Sequence, residues 1–262
     1  MIELNNVTRT YGTKTAVSGL SLNVPAGELF ALLGPNGAGK TTTIKMLVGL
    51  LRPSSGHVRL GGFDVVAEPR KACALLGFVP DVPFLYDKLT GREFLQFLAS
   101  MYGYSRREAA ERVEREIEHF ELAEFIDELA EAYSHGMKQR LVFAAAFLHD
   151  PAALIIDEPL VGLDPRSAKL VKDLLRARAA AGVAIFMSTH LLDVAEQIAD
   201  RIGIVDRGKL ICEGTLAQLR SRLAAQHTSL EQLFLDVTAG GARGNAPAEE
   251  EITVGQAHST PQ

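Results

Sequence analysis

The apolar positions of this chain change period along its length, and each change predicts a change of element. Short alternating runs over 2–8 and 15–24 predict strands, and Pro25-Ala26-Gly27-Glu28 reads as the turn before a buried strand, Leu29-Phe30-Ala31-Leu32-Leu33. A helix is predicted from Lys40 to Leu50, halted by Gly49, Pro53 and Gly56. His57–Leu60 and Phe63–Val65 flank Gly61-Gly62, a hairpin signal because both turn positions tolerate positive φ. From about Thr90 to Leu148 the sequence turns charged and helix-favouring. Helices are predicted over Arg92–Met101, Ser105–Phe120 and Ala123–Ala132, with Ser105 and Glu108 spaced as a capping box. Parallel β and α segments then return: a strand at Ala153–Ile156, a helix over 165–181, a strand at Val183–Met187 and a helix over 191–199. Residues 202–213 read as a hairpin turning at Asp206-Arg207-Gly208, followed by short amphipathic segments near 215–224 and 228–238. Beyond Ala239 the chain is rich in Gly, Ala, Glu, Thr and Pro, which predicts a disordered tail. No internal repeat is visible.

Composition narrows the class without naming the chemistry. At 262 residues, 47% hydrophobic and 23% charged, the chain has the make-up of a soluble globular protein with one large core. Its net charge of −5 supplies no basic field, so nucleic acid is not an expected partner. The longest apolar run, Leu141–Leu148, is far too short to cross a bilayer. Met1-Ile2-Glu3-Leu4-Asn5 has neither the basic nor the apolar region of a secretory signal. Cys73 and Cys212 lie far apart, which suits a reducing compartment. Any service to a membrane is therefore expected at its cytoplasmic face, peripherally and through a partner.

The chemistry concentrates in two places. Gly34-Pro35-Asn36-Gly37-Ala38-Gly39-Lys40-Thr41 follows a strand and opens a helix, the context that the spacing G-x-x-x-x-G-K-[ST] requires. Its glycines let successive N–H groups turn toward an anion, and the helix start adds unpaired donors and a positive dipole end. Lys40 is placed to reach terminal phosphates, and the hydroxyl of Thr41 to ligate Mg²⁺, with Thr42 next in line. The second place is Leu154-Ile155-Ile156-Asp157-Glu158, an apolar strand ending in two carboxylates at the edge where α/β sheets gather ligands. Asp157 fits a Mg²⁺ partner opposite Thr41, and Glu158 a general base for the attacking water.

Tyr133-Ser134-His135-Gly136-Met137-Lys138-Gln139-Arg140, ahead of an apolar helix, resembles the signature sequence of ATP-binding cassette (ABC) proteins. Further matches follow in order over about residues 2–238: Tyr11 where the family stacks an aromatic ring on adenine, Gly162-Leu163-Asp164 as the D-loop, and His190 as the switch histidine at the γ-phosphate. The resemblance implies an α/β fold: a P-loop NTPase core with a mixed sheet, flanking helices and an N-terminal antiparallel β part, plus an inserted α-helical subdomain. On that pattern the core covers 1–81 and 150–224, the helical subdomain about 82–149 and a short C-terminal helix 228–238. It also implies an ATPase using ATP and Mg²⁺. Two such domains pair head to tail, with each ATP between one phosphate loop and the Ser134 and Gly136 region of the other. The partner is then a copy of the chain or a related ATPase subunit, and separate transmembrane permease subunits carry the substrate.

Three positions depart from the family pattern. Asp81 stands where a glutamine is usual, His135 replaces the first signature glycine, and Met137 replaces its final glutamine. Asp81 has two readings, an outer-sphere metal contact or a plain loop acid. Val82-Pro83-Phe84-Leu85-Tyr86 also has two, a docking groove for a membrane subunit or the apolar seam under the helical part. The segment Ser229–Leu235 resembles the terminal helix of ABC-2 type exporter ATPases. A soluble cassette acting in translation or DNA repair, and a regulatory nucleotide-binding module, are the alternative functions.

Overall fold

The computed structural model describes residues 1–160, 162–225, 229–232 and 234–235. The expected tail beyond Ala239 lies outside them, as do parts of the 228–238 segment; within that segment 230–232 and 234–235 are helical.

Two sheets form the frame. The first is antiparallel: β1 (Ile2–Tyr11), β2 (Lys14–Val24), β4 (Ser55–Leu60) and β5 (Phe63–Asp64), in the order β2-β1-β4-β5. Leu60 pairs with Phe63, so Gly61-Gly62 makes the expected hairpin turn. The second sheet holds β3 (Leu29–Leu33), β6 (Leu76–Val79), β7 (Ala153–Asp157), β8 (Ala184–Thr189), β9 (Arg201–Asp206) and β10 (Lys209–Gly214), in the order β10-β9-β3-β8-β7-β6. All its neighbours are parallel except the β9–β10 hairpin, whose Arg207 and Gly208 both adopt positive φ as a tight primed turn needs.

Three central strands of that sheet are buried along their whole length, which explains their continuous apolar sequence. Alternate side chains enter different cores. Leu29, Ala31, Leu33, Leu154, Ile156, Ile185 and Met187 join the core shared with the helices between Gly91 and Ile198, while Phe30, Leu32, Ile155 and Phe186 face the antiparallel sheet and α1 (Lys40–Leu47). Phe30 and Phe186 stack at 5.7 Å in the latter, and truncating Phe186 to alanine there would cost about 3–5 kcal/mol.

The helical stretch holds α3 (Gly91–Met101), α4 (Arg106–His119) and α5 (His135–Phe147). Capping boxes start α3 (Thr90 with Glu93) and α4 (Ser105 with Glu108). The sequence pattern fails in two places. The helix expected over Ala123–Ala132 is a run of turns ending in a 3₁₀ turn, Ala130–Ala132. The Tyr133 hydroxyl takes the carbonyls of Phe125 and Glu128, and Ala130 N–H bonds Leu89 O, so tertiary partners replace helical ones. Conversely α2 (Pro69–Ala74) and the edge strand β6 carry too few residues for a period to show. Helices α6 (Pro165–Ala180), α7 (Leu192–Ile198) and α8 (Leu216–Ala225) complete the described fold.

Candidate functional site

Adjacent parallel strands deliver the site. In spatial order β3, β8, β7 and β6 end in the glycine loop, His190, the Asp157-Glu158 pair and Asp81. Their C-terminal edges open into a cleft of about 940 Å³ lined by residues 35–42, Tyr11, Asp81, Asp157 and Glu158. Lys14, Thr15, Ala16, Asp206 and Arg207 also line it; sequence reasoning missed them because strand order alone brings the β1–β2 and β9–β10 turns there.

The loop is braced from outside. Gly208 N–H bonds Ala38 O at 2.9 Å and Ser18 N–H bonds Gly208 O at 2.8 Å. Gly39 has φ +108°, and a Cβ there would meet Ala16 O at 2.6 Å, so glycine is required on two counts. Lys40, buried at the start of α1, donates through Nζ to Gly34 O at 2.7 Å and Pro35 O at 3.3 Å. Burial lowers its pKa from the ordinary lysine value, against the opposing pull of Glu158 and Asp157.

Glu158 gathers the charged groups. Its Oε1 lies 3.7 Å from Lys40 Nζ and 3.0 Å from His190 Nδ1, and Oε2 accepts from His190 N–H at 3.4 Å. Its φ of +50° is rare for a residue with a side chain, and Glu158 N–H bonds Ser188 O at 3.1 Å to hold it. Asp157 is buried and accepts from the hydroxyl of Ser188, and the hydroxyl of Thr41 lies beside it. Burial raises its pKa above the usual carboxylate range, Asp81 and Glu158 add to the rise, and the two hydroxyls oppose it. Ser188 is a site neighbour that sequence reasoning passed over as a strand residue; only its place directly across from Asp157 in the β7–β8 register reveals it.

Tyr11 is half exposed at the rim, with the Arg9 guanidinium 4.6 Å from its ring centroid. Asp81 also lines the cleft. Ser134, Gly136 and Asp164 do not. Ser134 caps α5 by accepting from Met137 N–H, and Asp164 caps α6 through Arg166 and Ser167 N–H. The two caps adjoin: a Cβ on Gly136 would lie 3.9 Å from Asp164 Oδ2, and one on Gly162 would lie 2.7 Å from the His135 ring. The apolar stretch after Asp81 splits, with Leu85 buried while Val82 and Phe84 are 74% and 72% exposed and Tyr86 is half exposed. The seam reading therefore holds for Leu85, with Pro83 partly buried.

Comparison with known proteins agrees with this geometry. The family model described as ABC transporter matches residues 17–161, just over half of the chain. The daunorubicin/doxorubicin resistance ATP-binding protein DrrA of Streptomyces peucetius is 43% identical over 86% of this chain and 68% of its own length. The linearmycin resistance ATP-binding protein LnrL of Bacillus subtilis (strain 168) is 40% identical over 85% of this chain and 72% of its own. The Nod factor export ATP-binding protein I of Paraburkholderia xenovorans (strain LB400) is 40% identical over 83% and 72%. A solved ATP-binding subunit of an ABC transporter superposes with a TM-score of 0.83 at 32% identity, over 91% of this chain and 99% of that one. The dimeric cassette MJ0796, in a post-hydrolysis state bound to ADP and Pi, gives 0.76 at 27% identity, over 82% and 99%. A phosphate loop, paired carboxylates and a strand-end histidine on this sheet, in a chain so matched, identify it: it belongs to the ABC transporter family, as an ATP-binding and ATP-hydrolysing subunit.

Proposed function

We propose that this subunit powers export through separate membrane permease subunits, closing on ATP together with a second cassette, either its own copy or a related chain. The observation that carries the reading is the chain of side-chain contacts Lys40–Glu158–His190 at the mouth of the phosphate loop, with Asp157 and Thr41 beside it. Export is favoured by the names of the relatives, two drug-resistance ATP-binding proteins and a Nod factor exporter component. Core 1–81 and 150–224 then serves the phosphates, and the helical subdomain 82–149 brings the signature face.

Lys40 holds the β- and γ-phosphates, surrendering its carbonyl contacts within the loop. Asp157 and Thr41 are hard oxygen donors in mutual contact, a set that fits Mg²⁺. Bound there, Mg²⁺ would neutralise phosphate charge, and Asp81 stands at the cleft as an outer contact. Glu158 accepts the proton of the attacking water, and His190, already on Oε1, steers the carboxylate and meets the γ-phosphate. Tyr11 stacks on adenine with the ring face that Arg9 leaves open. Ser134 and the Gly136 N–H at the start of α5 meet the γ-phosphate held by the opposite cassette, with Asp164 alongside.

Among the described residues no helix is long and apolar enough to cross a membrane, so the proposed seat is peripheral, on the cytoplasmic face. Val82, Phe84 and Tyr86, with Tyr86 edge-on to Phe97 at 6.0 Å, supply the docking surface. Co-purification in detergent tests this: the native chain is expected with a polytopic membrane protein. Phe84→Ser should lose that protein while keeping intrinsic hydrolysis. Fractionation wholly with ribosomes or DNA would refute the transport reading.

A further inference from the structure

Tyr133 stands immediately before Ser134 and is 5% exposed. Its hydroxyl donates to Phe125 O at 2.8 Å, with Glu128 O a second acceptor at 3.1 Å, and accepts from Gly91 N–H at 3.1 Å. A phenol has one proton to give, so this hydroxyl has spent its donor capacity and gained a donor in return. The ring also meets Phe125 edge-on at 4.9 Å.

Gly91, the first residue of α3, is matched to this hydroxyl. A Cβ there would come within 2.6 Å of the phenolic oxygen and 2.9 Å of Ile126 Cδ1, so only glycine lets the backbone approach close enough to bond. The bond closes a stitched seam: Ala130 N–H to Leu89 O at 2.9 Å, Arg92 N–H to Ile126 O at 3.0 Å, and a bridge between Thr90 and Leu129. Helix α3 also carries Phe94 and Phe97, whose rings meet Tyr86 at 6.2 and 6.0 Å in the exposed aromatic patch. The phenol therefore stands between the start of α3 and the residue that caps α5.

Past the ring the chain is extended. Tyr133 has ψ 134° and Ser134 ψ 164°, and then α5 begins. The Ser134 hydroxyl accepts from Met137 N–H within the same helix, so that bond fixes the cap to α5 but not α5 to α3. A hydrogen-bonded tie to α3 comes one residue earlier, through Tyr133, beside the direct packing of the two helices.

We propose that Tyr133 is a positioning residue for ATP hydrolysis: its hydroxyl sets where Ser134 and the N-terminus of α5 lie relative to α3. This rests on the proposed reading of Ser134 as a contact to nucleotide held by a second cassette. Removing the hydroxyl takes a partner from Gly91 N–H and Glu128 O, while Phe125 O keeps Glu128 N–H at 2.9 Å, and the relaxation is passed to the adjoining cap. Group placement matters steeply here, since a shift of about 1 Å costs up to about 10²-fold in rate.

The test compares wild type, Tyr133→Phe, Gly91→Ala and Ser134→Ala well below their melting temperatures. Turnover is measured against ATP concentration. Binding of a fluorescent ATP analogue is measured at protein concentrations dilute enough to keep the chain monomeric. Tyr133→Phe and Gly91→Ala are expected to lose about tenfold in turnover while monomer affinity for the analogue stays within about twofold, because the phosphate loop is untouched. If Tyr133→Phe does not fold, Gly91→Ala, which crowds the same hydroxyl in place, carries the test. Wild-type turnover in these variants, or turnover and analogue affinity falling together, overturns the positioning role when Ser134→Ala is impaired. An unimpaired Ser134→Ala overturns the reading beneath it as well.

Discussion

The cleft and the signature face are built on opposite terms. In the cleft the polar side chains satisfy one another across the chain: Lys40 with Glu158, Glu158 with His190, Asp157 with Ser188. On the signature face Ser134 and Asp164 are satisfied locally, each capping its own helix. The first arrangement concentrates strained, buried and shifted groups, notably Glu158 at φ +50° and a desolvated Lys40. The second leaves the Gly136 N–H outside the cap bonds of α5, while at α6 Pro165 has no N–H and Asp164 takes those of Arg166, Ser167 and Ala168. On the proposed reading, one region serves bond breaking and the other receives an anion from outside.

The largest effect expected is in the cleft. Glu158→Gln keeps size and hydrogen bonding but loses the base, so turnover should fall by about 10²–10⁴-fold. An ATP-bound dimer should accumulate on gel filtration in the same variant, which a defect in binding would not produce. Normal turnover would remove Glu158 from its assigned role.

A smaller effect is expected at the rim. Stacking of a base on an aromatic ring contributes roughly 1–3 kcal/mol. Tyr11→Ala should therefore raise KM for ATP by about fivefold or more with kcat nearly unchanged. Equal loss for ATP and inorganic triphosphate would show that the ring does not meet the base.

The smallest effect concerns stability. The carboxyl of Asp157 is raised in the fold, first by burial, so the folded state holds its proton more tightly than the unfolded state. That contribution to stability is present at acid pH and lost as pH rises through the raised value. Above this window the ionised group opposes folding. Asp157→Asn should consequently raise Tm slightly at neutral pH and flatten its pH dependence while lowering turnover. A lower Tm for the variant at neutral pH would contradict the desolvation argument.

Legibility in the sequence followed how local the causes are. The phosphate loop, the Asp157-Glu158 strand end, the Gly61-Gly62 hairpin and the Ser105 capping box are short-range patterns, and the structure places each where its spacing implied. The false helix over Ala123–Ala132 had acceptable periodicity, but Tyr133 takes its carbonyls from outside the segment. Strand order is equally invisible, because β3 pairs with β8 and β9 across some 150 intervening residues, a sequence separation no window spans. Hence Ser188 and the Arg207 rim went unseen. The left-handed backbone of Glu158 carries no sequence signal, since glutamate rarely adopts it.

A mixing experiment addresses the composite site most directly. Lys40→Ala disables the cleft, and Ser134→Arg blocks the signature face. Each variant alone should be nearly inactive. Combined in equal amounts they form mixed dimers with one intact pocket, Lys40 from one protomer facing Ser134 from the other, and ATP hydrolysis should reappear. A mixture no more active than its components would contradict a pocket shared between two copies of this chain.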